Sequence, residues 1–274
     1  MLNFIIDESK CTKCGLCAVD CPTKIIDITN GIPFIQQKNE GKCMGCQHCL
    51  AVCPVAALSI LGVDPDACVD VRFAAAPDAM DALIRSRRSV RQFKKVNISA
   101  EKMEQLIKAA ANAPTGKNNR GVALHIIDNI EDMDIFREEV ISHLEKLDKE
   151  GRLTGQYQVF STFAKAFRKG NDIIFRGGPN LVVASVPKES PTPSADGIIA
   201  LSYMELMAAT LGLGAVWLGF LMHIFALAPE LKGLLSIPAD HDVSYVLLLG
   251  EPSVKYSRGV MRDEISVNRV SFRH

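Results

Sequence analysis

Cys11-Thr12-Lys13-Cys14-Gly15-Leu16-Cys17-Ala18-Val19-Asp20-Cys21-Pro22 decides the reading of the N-terminal region, and its pattern returns at Cys43-Met44-Gly45-Cys46-Gln47-His48-Cys49-Leu50-Ala51-Val52-Cys53-Pro54. Three thiols spaced by two residues can wrap one inorganic cubane from a single tight loop. A fourth enters from a neighbouring turn, and proline fits where the chain leaves with no N–H to satisfy. Zinc also uses C-x2-C pairs, but a tetrahedral zinc site is complete with four ligands and gains nothing from a third cysteine two residues on. Two tandem copies therefore point to iron–sulfur clusters.

Both copies follow the C-x2-C-x2-C-x3-C-P run of bacterial ferredoxins, in which the fourth cysteine serves the other cluster. The resemblance implies two [4Fe–4S] clusters, one on Cys11, Cys14, Cys17 and Cys53, the other on Cys43, Cys46, Cys49 and Cys21. Gly15 and Gly45 are expected to let backbone N–H groups approach cluster sulfur. Cys68 has no partner motif and reads as a buried structural thiol; His48 reads as exposed filler. Short apolar runs at Phe4–Ile6, Ile25–Ile28, Ile32–Ile35 and Leu58–Leu61 read as strands.

Eight of the nine cysteines fall within these motifs. Met1–Asp7 lacks the features of a signal peptide, so metal ligation in a reducing cytoplasm is expected rather than disulfides. Lys plus Arg equals Asp plus Glu, 31 each, which gives no overall bias toward nucleic acid or an anionic membrane. Between Glu205 and Glu230 no residue is formally charged, a length that could span a bilayer. Thr210, Gly212, Gly214, Gly219 and His223 interrupt it and no basic flank anchors it, so a buried helix, a glycine turn and a buried strand are expected instead.

The composition divides the chain into 1–61, a linker over 62–77, and 78–274. In the last part Asp78–Ser86, Ser99–Asn112, Glu131–Glu150 and Asp196–Leu211 have helical spacing, with Ser99 as an N-cap. Val122–Asp128, Leu181–Val186, Ala215–Phe220 and Val243–Leu249 read as strands. The fold expected is α+β, a small ferredoxin-like domain followed by a larger domain of mixed helix and strand.

The larger domain has neither a G-x-G-x-x-G fingerprint nor a Walker loop. Its most basic stretch, Arg85-Ser86-Arg87-Arg88-Ser89-Val90-Arg91-Gln92-Phe93-Lys94-Lys95, holds six basic residues and no acid. Alone, such a run reads as a solvated face. Yet Arg87–Phe93 resembles the opening motif of the FMN-dependent nitroreductase family, and Ala113-Pro114-Thr115-Gly116-Lys117-Asn118 its second flavin-contact loop. Asp196–Gly197 through Leu211–Gly219 is similar to its central helix, glycine turn and strand. Leu247–Pro252 with Lys255 and Arg258 is similar to its C-terminal strand and basic tail.

That resemblance implies a nitroreductase-like α+β sandwich and a homodimer with FMN at the subunit interface, the uncharged 206–229 stretch supplying dimer surface. It assigns Arg87, Ser89, Arg258 and Lys255 to the FMN phosphate, where Arg forks and a hydroxyl suit the charge, and counts Arg88 among the cofactor-binding residues. Arg91 would face the flavin N1–C2=O edge, Asn118 the ring and ribityl, and the Leu218–Gly219 backbone the N5 edge, with Pro114 and Thr115 as further cofactor-binding residues. No side-chain nucleophile or acid–base pair is implied, because the flavin carries the chemistry. Asn119-Arg120-Gly121 departs from the family's usual Gln-Pro-Trp, and 151–178 matches nothing in it. The function implied is an oxidoreductase in which electrons pass from the clusters to FMN and on to a small acceptor such as a nitroaromatic or quinone. Reduced ferredoxin and NAD(P)H are the candidate donors. A non-catalytic electron carrier, or an FMN enzyme of another reduction such as dehalogenation, are the alternatives.

Overall fold

The computed structural model describes residues 2–272, and the chain forms two compact units. One runs to Ala75 and includes Gly116–Arg120; the other comprises Ala76–Thr115 and the chain from Gly121 onward.

In the N-terminal unit the elements are β1 (Ile5–Ile6), α1 (Leu16–Asp20), β2 (Ile26–Thr29), β3 (Ile32–Ile35), α2 (His48–Ala51) and β4 (Leu58–Ser59). Strands β1 and β4 pair antiparallel, as do β2 and β3. Asn30 and Gly31 join the second pair with φ of 52° and 83°, the two left-handed residues that a tight hairpin turn needs. The core is small: Ile25, Ile26, Leu50, Leu58 and Ile60 close around Cys17, Cys21 and Cys49. A core of that size is marginal alone, and small folds of this kind rely on a staple such as a metal centre.

The second unit contains α3 (Pro77–Ser86), α4 (Ala100–Ala111), β5 (Ala123–Ile127), α5 (Ile130–Lys149), α6 (Val159–Phe167), β6 (Asn180–Pro187), α7 (Pro193–Thr210), β7 (Gly214–Trp217), α8 (Gly219–Leu227), α9 (Leu231–Leu234) and β8 (His241–Gly250). The strands form one antiparallel sheet in the order β5-β6-β8-β7. Successive strand side chains point to opposite faces, and the core divides accordingly. Leu181, Val183, Val216, Val246 and Leu248 join one cluster with α5, α6, α8 and α9. Val182, Ala184, Ala215, Leu247 and Leu249 join the other with α4 and α7. The result is a sheet between two helical layers.

Local signals account for the helix starts. Ser99 Oγ accepts from Lys102 N at 3.4 Å, and Asn129 Oδ1 accepts from Asp132 N at 2.8 Å, each satisfying an orphan donor of a first turn. One expectation needs correction. The strand expected over Ala215–Phe220 ends at Trp217, and Gly219 opens α8. Leu221, Ile224 and Phe225 of α8 are buried in the unit's own core. Residues 151–178, which carried no assignment, hold a 3-10 turn at Gly155–Gln158 and α6. No helix among the described residues is long and apolar enough to cross a membrane.

Candidate functional site

In the N-terminal unit seven of the eight motif cysteines fall into two neighbourhoods. Burial raises the Cys17 thiol, and the like charges that add to the effect are Cys14 and Cys53. Burial pushes the Cys49 thiol up to about 11, and its charged neighbours are Cys43, Cys46 and Cys21. Each neighbourhood includes one cysteine from the other motif, Cys53 in the first and Cys21 in the second, as in the crossed arrangement of two-cluster ferredoxins. Crowded thiolates repel one another, and cationic iron offsets that repulsion. Among the described residues no three His, Cys, Asp or Glu side chains converge as ligands of a single metal ion. A cubane asks for no such convergence, because each thiolate binds a separate iron.

The loops also present backbone donors to sulfur. Leu16 N–H and the Thr12 hydroxyl hold the Cys14 thiol below its usual range. Gly45 N donates to Cys43 Sγ at 3.4 Å and Ala57 N to Cys53 Sγ at 3.3 Å. The repeat is conformational as well as chemical: Lys13 and Gly45 have φ of 59° and 63°, and Gly15 and Gln47 have φ of 75° and 60°. Each copy thus has two left-handed positions and spends glycine on only one of them. His48 Nδ1 lies 3.2 Å from Asp20 Oδ2 and is half exposed, away from a ligand role. Cys68, expected to be buried, is exposed, with Sγ directed at Asp64 O at 3.6 Å.

In the second unit the basic motif is stitched to the edge of the sheet. Ser89 bridges Ala215 of β7 in parallel, Val90 N donates to Ala215 O at 2.9 Å, and Phe93 bridges Pro252 just past β8. Gly214 makes this possible: a Cβ there would lie 2.5 Å from Val90 Cγ2. Below 87–91 lie two clefts. The first, about 450 Å³, is lined by Asp81, Ile84, Arg85, Arg87, Arg88, Val260 and Arg262. Asp81 is taken by Arg85 at 2.6 Å, and Arg87 Nη1 by Glu205 of α7 at 2.8 Å. Arg88 and Arg262 face no acid as an ion pair among the described residues. The cleft therefore carries uncompensated positive charge, the donor set that a phosphate takes.

The second cleft, about 330 Å³, brings Arg91 together with Leu218 and Gly219, and adds Ile173, Ile174, Arg176, Val216, Trp217, Phe220 and His223. Trp217 is steadied edge-on by Tyr245 at 5.3 Å between ring centroids. Behind Phe220 stand Phe163 and Phe160 of α6, at 5.1 Å and 6.1 Å.

Not every sequence candidate joins these clefts. Asn118 lies in the segment that packs with the N-terminal unit, where Nδ2 donates to Met44 O at 2.9 Å. Lys117, Asn118 and Arg120 all have φ of 53°, a conformation costing roughly 1–2 kcal/mol per residue for side chains other than glycine. Pro114 is exposed and Thr115 half-buried, and neither lines either cleft. Lys255 and Arg258 are exposed, and the tail residue that faces the arginines is Arg262 instead. Val260 N donates to Arg85 O at 3.4 Å, which lays the tail along the end of α3. Arg85, Arg262 and Arg176 were missed as site residues. Arg85 stood inside the basic run, but nothing local marks Arg176 or Arg262.

Residues 84–251 match the family model of the nitroreductase family. The chain belongs to the nitroreductase family. Residues 4–60 match a 4Fe-4S dicluster domain, so this nitroreductase carries an N-terminal dicluster unit. Similar solved structures include a nitroreductase with bound FMN from Bacteroides fragilis NCTC 9343, at 20% identity and TM-score 0.56, covering 68% of this chain and 97% of that one. An FMN-dependent nitroreductase from Clostridium difficile R20291 has 20% identity and TM-score 0.55, covering 71% and 100%. An oxidised iodotyrosine deiodinase bound to FMN and 3-iodo-L-tyrosine has 22% identity and TM-score 0.50, covering 69% and 98%. At such identities the likeness is one of fold. No curated protein matches the chain.

Proposed function

We propose that this nitroreductase-family chain is an FMN-dependent oxidoreductase whose two [4Fe–4S] clusters supply electrons for reduction of a small acceptor. The observation that carries the reading is the course of 87–91 along β7, with Arg87 and Arg88 in a basic cleft at one end and Arg91 beside Leu218–Gly219 at the other. When bound, the clusters supply single electrons and FMN the two-electron chemistry.

The residues present fit FMN. Arg88 and Arg262 offer guanidinium forks for a phosphate, while Glu205 holds Arg87 in place and leaves its other N–H groups for the ligand. Arg91 places positive charge beside the ring edge that becomes negative on reduction. The Leu218–Gly219 backbone, fixed by Leu218 N donating to Val246 O at 3.0 Å, supplies the polar groups for the N5 edge. Ile173, Trp217 and Phe220 keep water from that side of the cleft. A second copy of the chain is the expected partner: Ile198 and Tyr203 stand exposed on α7, and the tail leaves Met261, Ile265, Val267, Val270 and Phe272 uncovered. A nitroaromatic or quinone suits the acceptor role, with dehalogenation as the second reading, since one fold neighbour is a deiodinase.

The test is spectroscopic and analytical. Anaerobically purified protein should carry one FMN per chain, and Arg262→Ala should release it more readily than wild type. Protein with its iron intact and no uptake of added FMN would overturn the reading.

A further inference from the structure

The cleft that holds Arg91, Leu218 and Gly219 is also lined by Ile173, Arg176, Phe220 and His223. No acid lines any part of it. Its two guanidiniums have little to do elsewhere. Arg91 reaches only Ser89 O, at 3.4 Å, and Arg176 makes no hydrogen bond or ion pair among the described residues.

Arg176 is presented by a turn built to hold it. Asp172 Oδ1 accepts from Phe175 N at 2.8 Å and Oδ2 from Gly177 N at 2.9 Å, so one carboxylate brackets the arginine from both sides. Arg137, buried at 6% exposure, ties the bracket to α5 through Asp172 Oδ2 at 3.4 Å, through Asp134 and through the Gly178 carbonyl. Within this turn Arg176 takes a left-handed φ of 53°. A long cationic side chain with no partner, held on an anchored turn beside apolar and aromatic walls, suits a ligand with a flat apolar body and an anionic group.

We propose that Arg176 selects the acceptor, and that the acceptor is an aromatic molecule bearing a carboxylate or phenolate. The inference rests on the flavin reading, which assigns Arg91, Leu218 and Gly219 to FMN and leaves Arg176 for the acceptor.

The probes are 4-nitrobenzoate and nitrobenzene, which differ in the anionic group. Their binding to oxidised, FMN-loaded protein is measured without turnover, by calorimetry and by the flavin difference spectrum. Wild type should bind 4-nitrobenzoate at least about tenfold more tightly than nitrobenzene. Arg176→Gln should weaken 4-nitrobenzoate by roughly ten- to a hundredfold, the loss of a charge-assisted hydrogen bond. Nitrobenzene should stay within about twofold, with FMN content unchanged. Arg176→Gly, which suits the positive φ and guards against misfolding, should show the same loss, and Arg176→Lys should recover part of it. Equal binding of the two probes by FMN-loaded wild type, or equal weakening of both by Arg176→Gln, would overturn this inference alone. Protein that takes up no FMN would overturn the flavin reading first, and this inference with it.

Discussion

The N-terminal unit keeps its whole site between Cys11 and Cys53, on two loops that repeat each other in sequence and in backbone conformation. The second unit assembles its site from the end of α3, the 87–91 segment, the 173–176 turn, the β7–α8 junction and the tail at Arg262. The first site is dense in ligands and poor in core, so its fold and its metal depend on each other. The second rests on a sheet buried on both faces, and its parts are held by ordinary packing whether or not a cofactor is present. Loss of the cofactor should therefore unfold one unit and merely empty the other.

Iron removal is the sharpest way to break that contrast. Chelation under reducing conditions, or Cys49→Ser, should abolish amide protection across β1 to β4 while leaving β6, β7 and β8 protected. Hydrogen exchange reads both units in one experiment. Equal loss of protection in both units would show that the sheet also depends on the clusters.

Within the second unit the largest effect is expected at the seam between motif and sheet. Gly214→Val places side-chain atoms where Val90 already packs. It should detach 87–91 and cut FMN affinity by more than a hundredfold, measured by fluorescence titration, with the sheet still folded. Next comes Glu205→Ala, which strips Arg87 of its partly buried partner. It should lower stability by about 1.5–3 kcal/mol in denaturant titration. Arg262→Ala should weaken FMN binding by roughly ten- to a hundredfold, and Arg258→Ala by less than about threefold. The reverse order would restore the assignment made from sequence. The smallest effect is expected at Cys68, whose exposed thiol lies outside both cysteine neighbourhoods; Cys68→Ser should leave iron and sulfide content unchanged.

The same contrast explains what the sequence made legible. Thiol spacing is covalent information, so the eight motif cysteines stood out in the sequence; the exchange of Cys21 and Cys53 was implied by the resemblance to bacterial ferredoxins, and each lies near the other motif's cysteines. Helices α4 and α5 were legible through periodicity, and α4 also through its cap at Ser99; the Asn129 cap of α5 came from the structure. Strands β6 and β8 could be read as apolar runs because the sheet buries both of their faces. The β7–α8 junction was not legible: Leu218 to Leu227 is apolar but for His223, and such a run carries no period to separate strand from helix. Asn118 was read from its neighbours in sequence, which give no sign that its Nδ2 donates to the Met44 carbonyl, 74 residues away in the chain. Arg176 and Arg262 reach the clefts through a turn and a tail whose paths are set by tertiary contacts with Arg137 and Arg85. Composition does not reveal such paths.

An anaerobic reductive titration, followed by absorbance and counted in electrons, tests the central claim most directly. Two cubanes and one FMN predict uptake of roughly four electrons per chain, one for each cluster and two for the flavin, with the flavin bands bleaching in the same titration as the cluster shoulder. Subsequent addition of a nitroaromatic should return all of them to the acceptor. Uptake of about two electrons with no flavin band, and none returned to the nitroaromatic, would contradict the account and leave a dicluster electron carrier.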